Sequence, residues 1–144
     1  MDLSGLKWPL IIVVVVGVGF LLSSSGTNYM FKKFTQSEAG VDAAKDKHDE
    51  AGLSKLGGFL LMTFRYQKAN EVFGTAVGRY PQGANVWYNK YRMVKCAEKL
   101  KNYAGAAAIL NELMNARASE VDSRVPEEAN LRLRRDKLIE IHQL

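Results

Sequence analysis

The run Trp8-Pro9-Leu10-Ile11-Ile12-Val13-Val14-Val15-Val16-Gly17-Val18-Gly19-Phe20-Leu21-Leu22 carries no charge, and it constrains this chain more than any other feature. Four adjacent valines make a poor helix in water, because β-branched side chains lose χ1 freedom against the preceding turn. In hydrocarbon the balance reverses, since a helix satisfies every backbone group internally. Extended through Ser23, Ser24, Ser25 and Gly26, the segment 8–26 rises about 1.5 Å per residue and nearly spans a ~30 Å hydrocarbon core. Trp8 at one end and Tyr29 and Phe31 at the other suit the interfacial belts, with Lys7 and Lys32-Lys33 just outside. A cleaved secretory signal is the competing reading. Against it, Asp2 offsets Lys7 at the amino end, no small-x-small cleavage site follows, and a lipoprotein's cysteine is missing there. The expectation is a retained anchor over 1–33.

Composition takes its meaning from that segment. The mean hydropathy of −0.16 is the average of a lipid-soluble run and a charged remainder. With 47% hydrophobic residues, three prolines and one cysteine in 144 residues, collagen, low-complexity disorder and a disulfide-stapled miniprotein are excluded. The remaining length suffices for one small domain.

From Ser37 on, apolar residues recur three and four apart, and prolines fall only at Pro81 and Pro126. This periodicity predicts helices over about 38–63, 66–79, 84–100, 103–118 and 126–142. The fold expected is all-α: one transmembrane helix, a small antiparallel helical-hairpin domain and a C-terminal capping helix. Residues 34–50 read as a charged stalk continuing the membrane helix outward. Residues 120–144 read as a polar linker and the cap, with Leu131, Leu138 and Ile141 on its packing side.

A repeat underlies residues 51–119. Leu53, Leu56, Gly57, Leu60, Tyr66, Ala69, Phe73, Ala76 and Pro81 are matched by Trp87, Val94, Ala97, Tyr103, Ala106, Leu110 and Leu113. Leu53 to Trp87 is 34 residues and Tyr66 to Tyr103 is 37, so the second copy's first helix is about a turn longer. Gly57, Ala69 and Ala106 are expected at close helix crossings, where a larger side chain would force the pair apart. Phe73, Ala76, Trp87 and Tyr103 complete the expected packing set.

On these residues the chain resembles the tetratricopeptide-repeat family over about residues 50–118. Tyr80-Pro81-Gln82-Gly83 and the stretch from Cys96 to Ala106 look like the variant found in bacterial envelope proteins. Two departures stand out: Leu60 replaces the usual tyrosine, and Lys90-Tyr91 occupies the Leu-Gly pair of the second copy. The resemblance implies a protein-binding domain whose concave wall maps to Ser54, Leu61, Met62, Tyr88, Arg92 and Lys95. It also implies an inner-membrane anchor with the C-terminal domain in the periplasm. The excess of Lys32-Lys33 over Lys7 points the other way, toward a cytoplasmic C-terminal side. The basic pair after the anchor also resembles the signal anchors of mitochondrial outer-membrane receptors.

Catalytic chemistry finds no foothold in the sequence. His48 and His142 lie far apart, each in a charged stretch expected to be exposed, and Cys96 has no CxxC partner or nearby base. Gly57-Gly58 reads as close helix packing rather than a phosphate loop. No cofactor, metal or catalytic residue is therefore expected. The cations of 90–101 and 132–137 belong to a net charge of +5 and read first as ordinary solvated faces, with anionic lipid headgroups ahead of nucleic acid for a membrane-tethered chain. Gly17, Gly19 and Ser23 offer small notches for helix packing in the membrane. The expected partners are other subunits of a membrane complex, with the bilayer contacted through 8–26. The expected role is an accessory or scaffold subunit, or alternatively a tethered peptide receptor or co-chaperone.

Overall fold

The computed structural model describes residues 4–144, which form eight helices and no strand. The chain divides into two compact units, one ending at Gln36 and the other beginning at Ser37.

In the first unit, α1 spans Ser4–Leu22 and α2 spans Ser24–Thr35. Gly5–Leu22 has a mean hydropathy of 2.2 and none of it is buried, so this helix is long and apolar enough to cross a membrane. The apolar helix stops at Leu22 rather than running on to Gly26. The cause is Ser23, which leaves the helical region (φ −74°, ψ 159°). Its hydroxyl donates back to the Phe20 carbonyl at 2.5 Å and accepts from the Gly26 amide at 3.1 Å. One side chain thus closes α1 and caps α2. A Cβ at Gly26 would lie 2.0 Å from the Phe20 carbonyl oxygen, so only glycine fits where the new helix starts.

The second unit contains α3 (Ala43–Met62), α4 (Tyr66–Arg79), α5 (Val86–Lys99), α6 (Tyr103–Asn115), the short α7 (Ala118–Val121) and α8 (Glu128–His142). Each of α3 to α6 packs on its successor, and α8 closes on α6. The buried set follows the repeat spacing. Leu53, Leu56, Leu60, Ala69, Phe73, Ala76, Val94, Ala97, Ala106, Leu110 and Leu113 are all in the interior. Trp87 and Tyr103 are half-buried at its edge.

The two hairpins turn alike. The Arg65 amide reaches the Leu60 carbonyl at 2.9 Å, and the Asn102 amide reaches the Ala97 carbonyl at 2.8 Å. Phe64 (φ 61°) and Lys101 (φ 62°) hold the left-handed position inside these six-residue closures. The offset between the turns is the 37 residues already seen between Tyr66 and Tyr103. Glycine or asparagine normally fills such a position, and other residues there cost on the order of 1 kcal/mol.

Three expectations are corrected. Residues 34–50 are not one solvated stalk. The chain leaves helix after Thr35, and Ala43 opens α3 under an Asp42 cap that accepts from Ala44 and Lys45. Glu50, at 3% exposure, is buried because its Oε1 accepts the Asn85 amide at 2.8 Å and so ties α3 to the start of α5. Ile141 does not join Leu131 and Leu138 on the packing side of α8, and it is 65% exposed. His142 takes the inward place, stacked on Tyr103 with ring centroids 3.4 Å apart, so it is half-buried rather than exposed.

A Cβ built on Gly57 would sit 2.4 Å from Phe73 Cε1, and Phe73 is fully buried with nowhere to retreat. Gly57→Ala should therefore destabilise the domain by about 1–3 kcal/mol despite alanine's better helix propensity. Thermal unfolding followed by circular dichroism in detergent checks this; an unchanged or raised Tm would refute the close crossing.

Candidate protein-binding face

One buried guanidinium organises the wall formed by α3 and α5. Arg92, one turn beyond Tyr88 on α5, is only 9% exposed. Its Nη2 donates to the Ser54 carbonyl at 3.0 Å, the Ser54 hydroxyl at 2.5 Å and the Asn89 side-chain oxygen at 2.7 Å. The Ser54 hydroxyl also lies 2.8 Å from the same asparagine oxygen. Arg92 Cζ stands 4.4 Å from the Phe73 ring centroid and 4.3 Å from that of Tyr88, within cation–π range. Burial lowers its pKa, partly opposed by Tyr88. A Cβ at Gly58 would meet Arg92 Nη1 at 2.6 Å. Gly58 is thus not a second helix-crossing glycine: Gly57 admits Phe73, and Gly58 admits the guanidinium.

The segment after α7 reinforces this wall. Arg124 grips Asp122 through Nε and Nη2 at 2.9 and 2.8 Å, and reaches Asn85 Oδ1 at 2.9 Å. Its Cζ also lies 4.6 Å from the Tyr88 centroid. The hydrogen bonds from Arg124 hold the Asp122 carboxyl below the usual carboxylate range, against the opposing effect of burial.

Above this floor lies a groove of about 470 Å³ lined by Lys55, Gly58, Phe59, Leu61, Met62, Tyr88, Arg92 and Lys95. Five of the six residues expected on the concave wall line it together: Leu61, Met62, Tyr88, Arg92 and Lys95. Ser54 does not line it; it is buried beneath and positions Arg92. Sequence reasoning missed Lys55, Phe59 and Arg124. Lys55, Phe59 and Met62 follow a helical i, i+4, i+7 spacing that could have revealed the first two. Arg124 belongs to an irregular segment with no such pattern. The lining holds three cations, two aromatic rings and two aliphatic side chains, with no acid.

The remaining clusters are engaged mainly within the fold, with the buried Arg79 Nε and Tyr80 hydroxyl left without a partner. A hollow of about 410 Å³ between the start of α3 and the α4–α5 turn includes Glu50, already engaged by the Asn85 amide. Several cations of α5 and α8 are paired: Lys90 with Glu112, and Arg134 with Glu98 at 2.8 and 2.5 Å and with the Tyr91 hydroxyl at 3.0 Å. Arg132 pairs with Glu128, and Arg135 with Asp136 and Asn111. Among the described residues no group of three or more His, Cys, Asp or Glu side chains converges as a metal site.

Cys96 sits fully buried on α5, where burial pushes its thiol up to about 11. A raised folded-state pKa favours the neutral thiol. The associated stability is complete below the unfolded value near 9 and is lost as pH climbs toward 11. The expected result is that Cys96→Ala loses less stability than the parent between pH 9 and 11, measured by urea unfolding. Parallel losses in the two proteins would show that the thiol does not titrate in this way.

The chain matches no family model, no curated protein and no solved structure, so the groove itself carries the functional reading.

Proposed function

We propose that this chain is a non-catalytic, membrane-anchored protein of tetratricopeptide-repeat type that acts as an accessory or scaffold subunit of a larger membrane complex by binding other proteins. The observation that carries the reading is the groove over Arg92, in which Lys55, Lys95 and two aromatic rings meet aliphatic side chains with no acid among them. Such a lining suits an extended segment that brings carboxylates to the lysines and apolar side chains to Phe59, Leu61 and Met62. The apolar helix α1 supplies the attachment. On this reading the anchor lies in a bacterial inner membrane with the hairpin domain in the periplasm.

The same groove favours a second reading, a tethered receptor or co-chaperone for acidic peptides. The two differ in whether the partner is resident or transient. Mild purification of the full chain from native membranes should yield a stable assembly on the first reading. On the second, it should yield a lone chain that crosslinks to changing clients.

The surface lysines provide the cleaner mutational test, since reversing buried Arg92 would disrupt the interior. Lys55→Glu with Lys95→Glu should reduce crosslinking through the groove about tenfold while leaving Tm within about 1 kcal/mol-equivalent of the parent. Unchanged crosslinking of every partner by this double variant would refute the groove as the binding face.

A further inference from the structure

The groove makes no use of the two turns at the ends of the hairpins, and these share a chemistry of their own. A shallow hollow of about 370 Å³ is lined by Phe64, Arg65, Tyr66, Gln67, Lys68 and Leu100, so the α3–α4 and α5–α6 turns form one tip. Phe64 is 76% exposed and neighbouring Met62 77%, and Leu100 is also open to solvent. Lys99 and Lys101 are exposed beside them, and no acid lines the hollow. Lys68 pairs with Glu71, so the charge argument rests on Lys99 and Lys101.

Phe64 is the telling residue. It holds a left-handed backbone position that glycine would fill without strain, and its ring contributes only an edge contact to Tyr66 at 6.3 Å. An exposed aromatic at a strained position adds little to the fold, and its ring is free to meet a surface outside it. Two narrow turns cannot offer the roughly 800 Å² per partner of a stable protein interface. A bilayer asks for less: a few apolar side chains at the headgroup level and cations for its phosphates, with no shape to match.

We propose that this two-turn tip docks on anionic lipid headgroups, with Phe64 and Leu100 entering the interfacial zone and Lys99 and Lys101 meeting the phosphates. The inference rests on the membrane-anchored reading, because α1 is what keeps a bilayer within reach of every copy.

The test uses the full chain with Gln67→Cys carrying an environment-sensitive fluorophore. Cys96 is buried with its thiol pushed up to about 11, so labelling is selective for the new cysteine. The protein is reconstituted in phosphatidylcholine vesicles, with or without about one third phosphatidylglycerol, and quenching by shallow spin-labelled lipid is recorded. The expected result is about twofold or greater extra quenching in the anionic vesicles, suppressed by about 0.5 M salt. Phe64→Gly and the pair Lys99→Glu, Lys101→Glu should each return it to the zwitterionic level. Phe64→Gly relieves the backbone, so its loss of quenching with Tm held or raised separates docking from unfolding. Equal quenching in both vesicle types, or quenching indifferent to both variants, overturns the docking and leaves the tip to a protein partner. Vesicle flotation is read in parallel: a chain that does not float overturns the anchor and the docking with it, whereas flotation without extra quenching overturns the docking alone.

Discussion

The hairpin domain depends on accommodating one arginine. A guanidinium removed from water is costly unless its donors are satisfied and its faces covered. Here Nη2 has Ser54 and Asn89 as acceptors and Phe73 and Tyr88 offer their rings, while Nε is buried without an acceptor. These groups come from α3, α4 and α5, so the arginine joins both helices of one hairpin to the first helix of the next. The neighbouring glycines have complementary duties. Gly57 lets Phe73 approach and Gly58 leaves room for Nη1, and without both the cation could not lie where it does. The floor of the groove is therefore fixed by the same contacts that fix the hairpin pairing, which gives its lysines a rigid base.

The C-terminal segment extends this economy. Arg124 ties an irregular stretch to Asn85 and to the Tyr88 ring, and Arg134 ties α8 to Glu98 and Tyr91 on α5. α8 also buries Leu131 and Leu138 against the core containing Val94, Leu110 and Leu113. Two hairpins bury little alone, and repeat arrays normally need about three units. In this chain a single helix, fastened by apolar contact, by ring stacking through His142 and by a two-pronged ion pair, covers the open end.

Much of this was legible in the sequence. The helical period and the two proline breaks located the helices of the hairpin domain to within a few residues, save the first, which opens at Ala43. The matched small and large residues marked Gly57, which closely approaches Phe73, and Ala69 and Ala106, which are buried. Five groove residues followed from repeat geometry. What escaped was set by individual hydrogen bonds rather than by periodicity. A serine hydroxyl ended α1 where hydropathy alone would have continued it. A buried acid turned an apparent stalk into the first turns of α3. A histidine displaced Ile141 from the inner side of α8. Arg124 entered the wall from a segment with no regular pattern at all. Such features depend on which donor meets which acceptor, information that emerges only once distant segments lie side by side.

The serine between α1 and α2 has a consequence for the membranes this chain suits. Nineteen residues of α1 amount to roughly 28 Å of helix, and the cap at Ser23 gives that length a fixed end. An uninterrupted helix meets a thicker bilayer by sliding further along its axis. α1 has no such reserve on its carboxyl side, where the chain abruptly presents hydroxyls, a glycine and then two lysines. Thin bilayers accept it with a modest tilt, whereas sterol-thickened ones must thin around it at a cost that grows with each ångström of mismatch. For α1 seated in a bilayer, that one hydroxyl sets where the apolar length ends.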